Sequence, residues 1–297
     1  MKMIMSLMFF TFSFSFYFVA AFFYLGFWVF KKKWLGQCAT ALAYITLLST
    51  TMVLVSRAAE SGHAPFSNLY ESMVLFVWAI NLGYLVMEYR HKFKVIGAFV
   101  MTIEFVAMLS ASLLPYKFKS AEPLNPALQS KWNWLVDLLR HAGLEKYAIG
   151  WLDFHVFTTF VGYAAFAISF GLSIMYMLKD RSERRGAQGA FVAAVPDAYT
   201  LDELGYRAIA WGFPFLSVGI VSGAVWANYA WGTYWSWDPK ETWSLVTWLI
   251  YAAYLHARVT RGWRGRRAAI LSLIGFIAVI FLYWGVSFVL PGLHAYA

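Results

Sequence analysis

Long apolar runs alternate with short basic clusters along the whole chain, and each run is about as long as a bilayer-crossing helix needs. Eight spans are expected on this pattern, at residues 1–30, 34–56, 68–88, 95–114, 153–178, 207–229, 239–260 and 268–290. The fold class is therefore an all-α polytopic membrane protein with about eight transmembrane helices. Lys31-Lys32-Lys33 follows the first run directly and reads as a retained span rather than a cleaved leader. Further clusters at Arg90 to Lys94, Lys179 to Arg207 and Arg258 to Arg267 fall at alternate helix ends. By the positive-inside rule they mark the cytoplasmic side, so both termini are expected on the external face of a bacterial inner (plasma) membrane.

Three regions follow: 1–114 with the first four spans, an external segment at 115–152, and a core at 153–297. In the external segment Trp132, Trp134, Leu135, Leu138 and Leu139 are spaced like an interfacial amphipathic helix. The stretch Lys179 to Tyr206 is expected as a polar, partly ordered cytoplasmic loop.

Composition closes off other classes. Hydrophobic residues make up 61% of the 297 and charged ones 13%, too few to clothe a soluble domain. The net charge of +9 sits mainly in the topology clusters, which argues against nucleic-acid binding. Cys38 is the only cysteine, so neither a CxxC pair nor a cysteine zinc site exists in this sequence.

The densest chemical signal is the external loop 230–241, containing Trp231-Gly232-Thr233-Tyr234-Trp235-Ser236-Trp237-Asp238. With Trp243 and Trp248 it holds five of the chain's 15 tryptophans. An interfacial aromatic belt spreads its tryptophans over many helix ends. Crowding them into one loop suggests a rigid shelf for a flat apolar ligand the size of a porphyrin, with Gly232 admitting close backbone approach. Asp238, Pro239 and Glu241 suit the cap, first and third positions of the next helix, so Asp238 is either a cap, a site residue, or both.

Of six histidines, His91 lies in a basic cluster, His141 on the amphipathic segment and His63 in an external turn. His155 and His294 are delivered to the loop's side of the membrane. Two imidazoles approaching opposite faces of a porphyrin would give six-coordinate iron; zinc competes but lacks further ligands of suitable spacing. His256 lies 18 residues beyond Asp238, about 27 Å along a helix, as a candidate second ligand at depth. Glu104, mid-span, could orient a histidine, carry a proton, or pair with a buried partner.

These residues resemble the CcsA (ResC) family of system II cytochrome c synthases. The resemblance rests on Leu201-Asp-Glu-Leu-Gly-Tyr-Arg207, Ser222 to Asn228, the tryptophan loop through Trp243, Gly262 to Gly265, Gly292-Leu293-His294, and Gly62 to Ser72. It implies that the loop is a "WWD" haem-binding element in which Trp231, Gly232, Tyr234, Trp235, Trp237, Asp238 and Trp243 contact haem b. It also implies that His155 and His294 are external axial ligands and that His256 is a transmembrane one. A separate CcsB (ResB) partner and an apocytochrome c bearing CxxCH are implied too. The pair would move haem outward and join its vinyl groups to the two thiols, with His155, His294 and Asp238 as the catalytic set. Arg57 and Lys240 are candidate partners for the haem propionates. The competing reading is a haem carrier of the CcmC type that attaches nothing.

Overall fold

A computed structural model describes residues 2–115, 119, 130–186 and 194–290. The helices are α1 (Lys2–Phe30), α2 (Lys33–Ser61), α3 (Leu69–His91), α4 (Gly97–Leu113), α5 (Asn133–Arg140), α6 (Trp151–Arg184), α7 (Ala198–Trp231), α8 (Pro239–Thr260) and α9 (Arg266–Ile280). A π-helical turn at Phe281–Gly285 carries α9 on into a last turn, Val286–Val289. Seven of the described helices are long and apolar enough to cross a membrane. The remaining expected span, 239–260, forms the 22-residue α8, long enough to cross but less apolar. The chain is a multi-pass membrane protein.

Apolar side chains face outward as well as inward. On α1, Ser6, Ser13, Tyr17 and Tyr24 are buried while Phe12, Phe18, Phe22 and Val29 face outward. Apolar side chains meet lipid at no cost, so small and hydrogen-bonded residues can occupy the helix interfaces. α1 packs on α2 and α4, α3 on α4 and α6, and α6 on α7, α9 and α3.

Helix ends run past the apolar runs that announce them. α2 continues to Ser61, where Gly62 takes a left-handed cap (φ 76°) and donates its N–H to Ala58 O. α6 reaches Arg184, and α7 begins at Ala198 rather than at Arg207, within the stretch expected as a loop. Its start is capped by Asp197, which accepts from Thr200 N (3.0 Å) and Thr200 Oγ1 (2.6 Å). Those bonds to Thr200 hold the Asp197 carboxyl below its usual range. The added turns are polar because they work outside the apolar layer: Asp202 and Glu203 both bind Arg258 of α8, and Asp202 Oδ1 accepts from Gly265 N at 2.8 Å. Arg258 is thereby buried and fully engaged at this end of the molecule.

α6 and α7 come together through glycine. A Cβ on Gly212 would stand 2.8 Å from Ala165 Cβ and 3.0 Å from Gly162 O, so only a bare Cα fits the crossing. Gly212→Val should push the two helices apart and lower stability by about 1–3 kcal/mol, the usual cost of overpacking. Thermal unfolding in detergent reads this, and an unchanged melting temperature would contradict the tight crossing.

Candidate functional site

At the end of the molecule opposite Arg258, a cavity of about 360 Å³ opens between α6, α7, the 232–238 loop, the start of α8 and the π-helical turn. Phe66, Ser67 and Ser72 close it from the α3 side. Tyr283, from the π turn, lines the cavity, pairs its hydroxyl with Ser72 Oγ at 2.6 Å and donates to Leu69 O at 3.1 Å. Tyr283 sits in the middle of the π turn, an element found frequently at functional sites.

His155 stands in the second turn of α6 and lines the cavity. Its Nδ1 lies 2.6 Å from Gly219 O. A carbonyl can only accept, so Nδ1 carries the hydrogen and, in the neutral ring, Nε2 keeps the lone pair. A carbonyl fixing one imidazole nitrogen in this way is the usual support behind a metal-ligating histidine. Gly223, one turn further along α7, makes room for the ring, since a Cβ there would meet Nδ1 at 2.5 Å and Cε1 at 2.6 Å. Trp226 follows on the same face, parallel to the imidazole (7°, centroids 6.4 Å apart) and edge-on to Trp231 (75°, 4.9 Å).

The loop is shaped by one carboxylate. Glu241 Oε2 accepts from Ser236 N (2.7 Å), Ser236 Oγ (3.2 Å) and Asp238 N (3.2 Å). Asp238 in turn accepts from Lys240 N at 3.1 Å, completing the expected capping box. Trp237 is held at φ 60°, a left-handed conformation costing a non-glycine residue about 1–2 kcal/mol. The Glu241 bonds on either side offset that cost.

The expected site residues divide. His155, Trp231, Tyr234 and Trp235 line the cavity together with Lys240. Asp238 is buried in the cap, behind the lining. Gly232 forms the left-handed end of α7 (φ 79°), with no described atom within 4 Å of where a Cβ would stand. The aromatic rings do not make one flat shelf: Trp235 and Trp237 are perpendicular at 5.8 Å, and Trp237 is 68% exposed. Trp243 packs against Phe281 at 4.4 Å, outside the lining. His256 is exposed on the far half of α8, away from the cavity. His294 lies outside the described residues. His63 is buried, its Nδ1 2.8 Å from Ala64 O, His91 sits in the last turn of α3, and His141 is exposed after α5.

Arg57 departs from its expected role. Its guanidinium is buried against Glu71 (3.1 and 2.8 Å) and donates to Lys119 O (2.9 Å), so its charge is already matched. Lys240 is the expected cation that does reach the cavity wall. Among the described residues no three His, Cys, Asp or Glu side chains gather as a metal site. The supporting residues Gly219, Gly223 and Trp226 were not singled out as site residues. Their i, i+4, i+7 spacing on one helical face was the available signal.

A family model described as cytochrome C assembly protein matches residues 146–294. The cytochrome c biogenesis protein CcsA of Guillardia theta is 39% identical over 288 residues, covering 90% of this chain and 88% of its own length. CcsA of Parasynechococcus marenigrum is 38% identical over 294 residues, covering 92% and 90%. Among solved structures, the cytochrome c heme lyase CcmF superposes with a TM-score of 0.65 at 16% identity. That match takes in 95% of this chain, which spans 47% of the lyase, and so speaks for the fold alone. With this identity sustained over nine tenths of its length, the chain belongs to the CcsA family of cytochrome c biogenesis proteins.

Proposed function

We propose that the cavity binds haem b, which the chain carries outward and presents for thioether attachment to the CxxCH thiols of an apocytochrome c, acting with a CcsB (ResB) partner. The observation that carries this reading is the His155 imidazole, oriented by Gly219 O beside an aromatic-walled cavity. The residues present fit the group. His155 offers Nε2 as an iron ligand, Trp231, Tyr234 and Trp235 supply apolar ring surface, and Lys240 supplies a cation for a carboxylate. Haem, when bound, brings the vinyl carbons to which the thiols add.

The chain's own contribution is placement. Gly223 and Gly219 set the imidazole, and Glu241 and Asp238 set the loop. Holding thiol and vinyl group together at a fixed distance supplies most of the acceleration in such an addition. His294 is the second axial ligand in this reading, and His256 a ligand on the inward route. The positive-inside rule puts the basic far end in the cytoplasm and the cavity on the external face. The regions 1–114, 115–152 and 153–297 then act as supporting bundle, surface segment and haem core.

An absorption spectrum of the detergent-purified protein tests the ligand. His155→Gly should lose the six-coordinate signature of the wild type and regain it with added imidazole; identical spectra would remove His155 from the iron. Gly223→Val should weaken haem retention about 10–100-fold, as loss of support behind a metal ligand does. Retention at the wild-type level would show that the ring needs no such space. Coexpression with a CcsB partner and a c-type reporter separates attachment from simple carriage. Haem that stays on the reporter through denaturing electrophoresis is expected, and its absence would leave the carrier reading standing.

A further inference from the structure

The acids of residues 1–114 are Glu60, Glu71, Glu88 and Glu104, and all four point into the bundle of α1–α4. Membrane proteins ordinarily keep their carboxylates in water, and those placed inside mark ion or proton routes. Here they stand at three depths.

At the cavity end, Glu71 binds Arg57 and Glu60 lies 3.8 Å from the same guanidinium while accepting from Ser6 Oγ at 2.7 Å. At the far end, Glu88 accepts from Tyr24 (2.7 Å), Thr40 (2.6 Å) and Tyr84, with Lys94 Nζ at 4.0 Å. Glu71 and Glu88 are 17 residues apart on α3, about 26 Å and close to the thickness of the apolar layer. Between them Glu104 is fully buried, and neither of its oxygens accepts a hydrogen bond from a described residue.

Hydroxyl and amide groups occupy the same middle zone. Ser13 donates to Ser49 (2.8 Å), Thr50 to Tyr17 (3.2 Å), and Asn81 to Thr46 (2.7 Å) and Tyr17 (3.2 Å). On α1 the buried polar positions 6, 13, 17 and 24 follow i, i+7, i+11, i+18, so they form one continuous face.

We propose that the α1–α4 bundle passes protons across the membrane, with Glu104 as the group that carries them at mid-depth. An ionised carboxylate without a partner there would bear a desolvation cost of several kcal/mol, so Glu104 rests as the neutral acid. It releases its proton toward one end as another arrives from the other. The ends are charged and paired and the centre is neutral, which lets a proton enter and leave without stranding a charge. Each passage moves one proton and one positive charge, breaks and forms only O–H bonds, and changes no oxidation state. Successive polar positions on α1 lie about 6–10 Å apart along the helix, further than a hydrogen bond, so water enters between them during transfer. A metal cation is a poorer fit, because calcium or magnesium takes six or more oxygens and Glu104 has no second carboxylate at its level.

The test uses the full-length protein in liposomes holding a trapped pH dye, with a potassium diffusion potential set by valinomycin. Wild type should acidify the lumen faster than protein-free vesicles. Glu104→Gln should slow it on the order of tenfold while haem content and the size-exclusion profile stay unchanged, with Glu104→Asp partly active. Tyr17→Phe, which removes one hydroxyl and keeps the ring, should also slow it and guards against misfolding of the first variant. A wild-type rate equal to that of empty vesicles, a rate unaffected by Glu104→Gln and Tyr17→Phe, or a flux that vanishes when choline replaces sodium would overturn the proposal.

Discussion

Everything at the cavity depends on how closely α6 and α7 approach. Glycine at 162 and 212 brings the two backbones into contact, and the same closeness persists to Gly219 and Gly223. Only at that separation can an α7 carbonyl reach the ring of His155 on α6. A backbone oxygen that already serves a helix here also sets the tautomer of a histidine. The imidazole is consequently oriented by the packing of two long helices, which is stiffer than support from a loop side chain.

The aromatic loop relies on a different device. Its residues have no regular secondary structure, yet Glu241 Oε2 gathers two backbone N–H groups and a hydroxyl onto one anion at the start of α8. That arrangement favours negative charge at a helix N-terminus and satisfies donors that the first turn leaves open. Trp237 is strained into a left-handed conformation as part of the same fold-back, while Trp231, Tyr234 and Trp235 are left facing the cavity. Asp238 stands in the cap at the start of α8, buried behind these rings.

Much of this could be read from residue order. Apolar run length marks the spans, the Asp238-Pro239-Lys240-Glu241 order announces the cap that forms, and His155 falls where topology puts it beside the tryptophans. Three things were hidden, each for a physical reason. Hydropathy stops at the apolar layer, whereas helices stop where capping groups act, so α7 starts nine residues earlier than its apolar run suggests. Residue type does not report ring direction, so Trp237 and Trp243 look equivalent to Trp235 until the backbone turns them away. Charge alone does not reveal its partner: Arg57 reads as a ligand contact, but Glu71, 14 positions later, claims it.

The π-helical turn has a bearing on how sequences of this kind are compared. Its bonds reach one residue further than α-helical ones, which accommodates an additional residue and displaces the helical phase by about 100°. A helical wheel drawn through Arg266–Val289 as one regular element assigns the wrong face to every position after Ile280. Tyr283 would be plotted with the phase of an uninterrupted helix, and Val286, which is buried, would be misplaced as well. Two related chains, one with the bulge and one without, align correctly over this stretch only when a single-position gap is opened inside the helix, where gaps are normally penalised most.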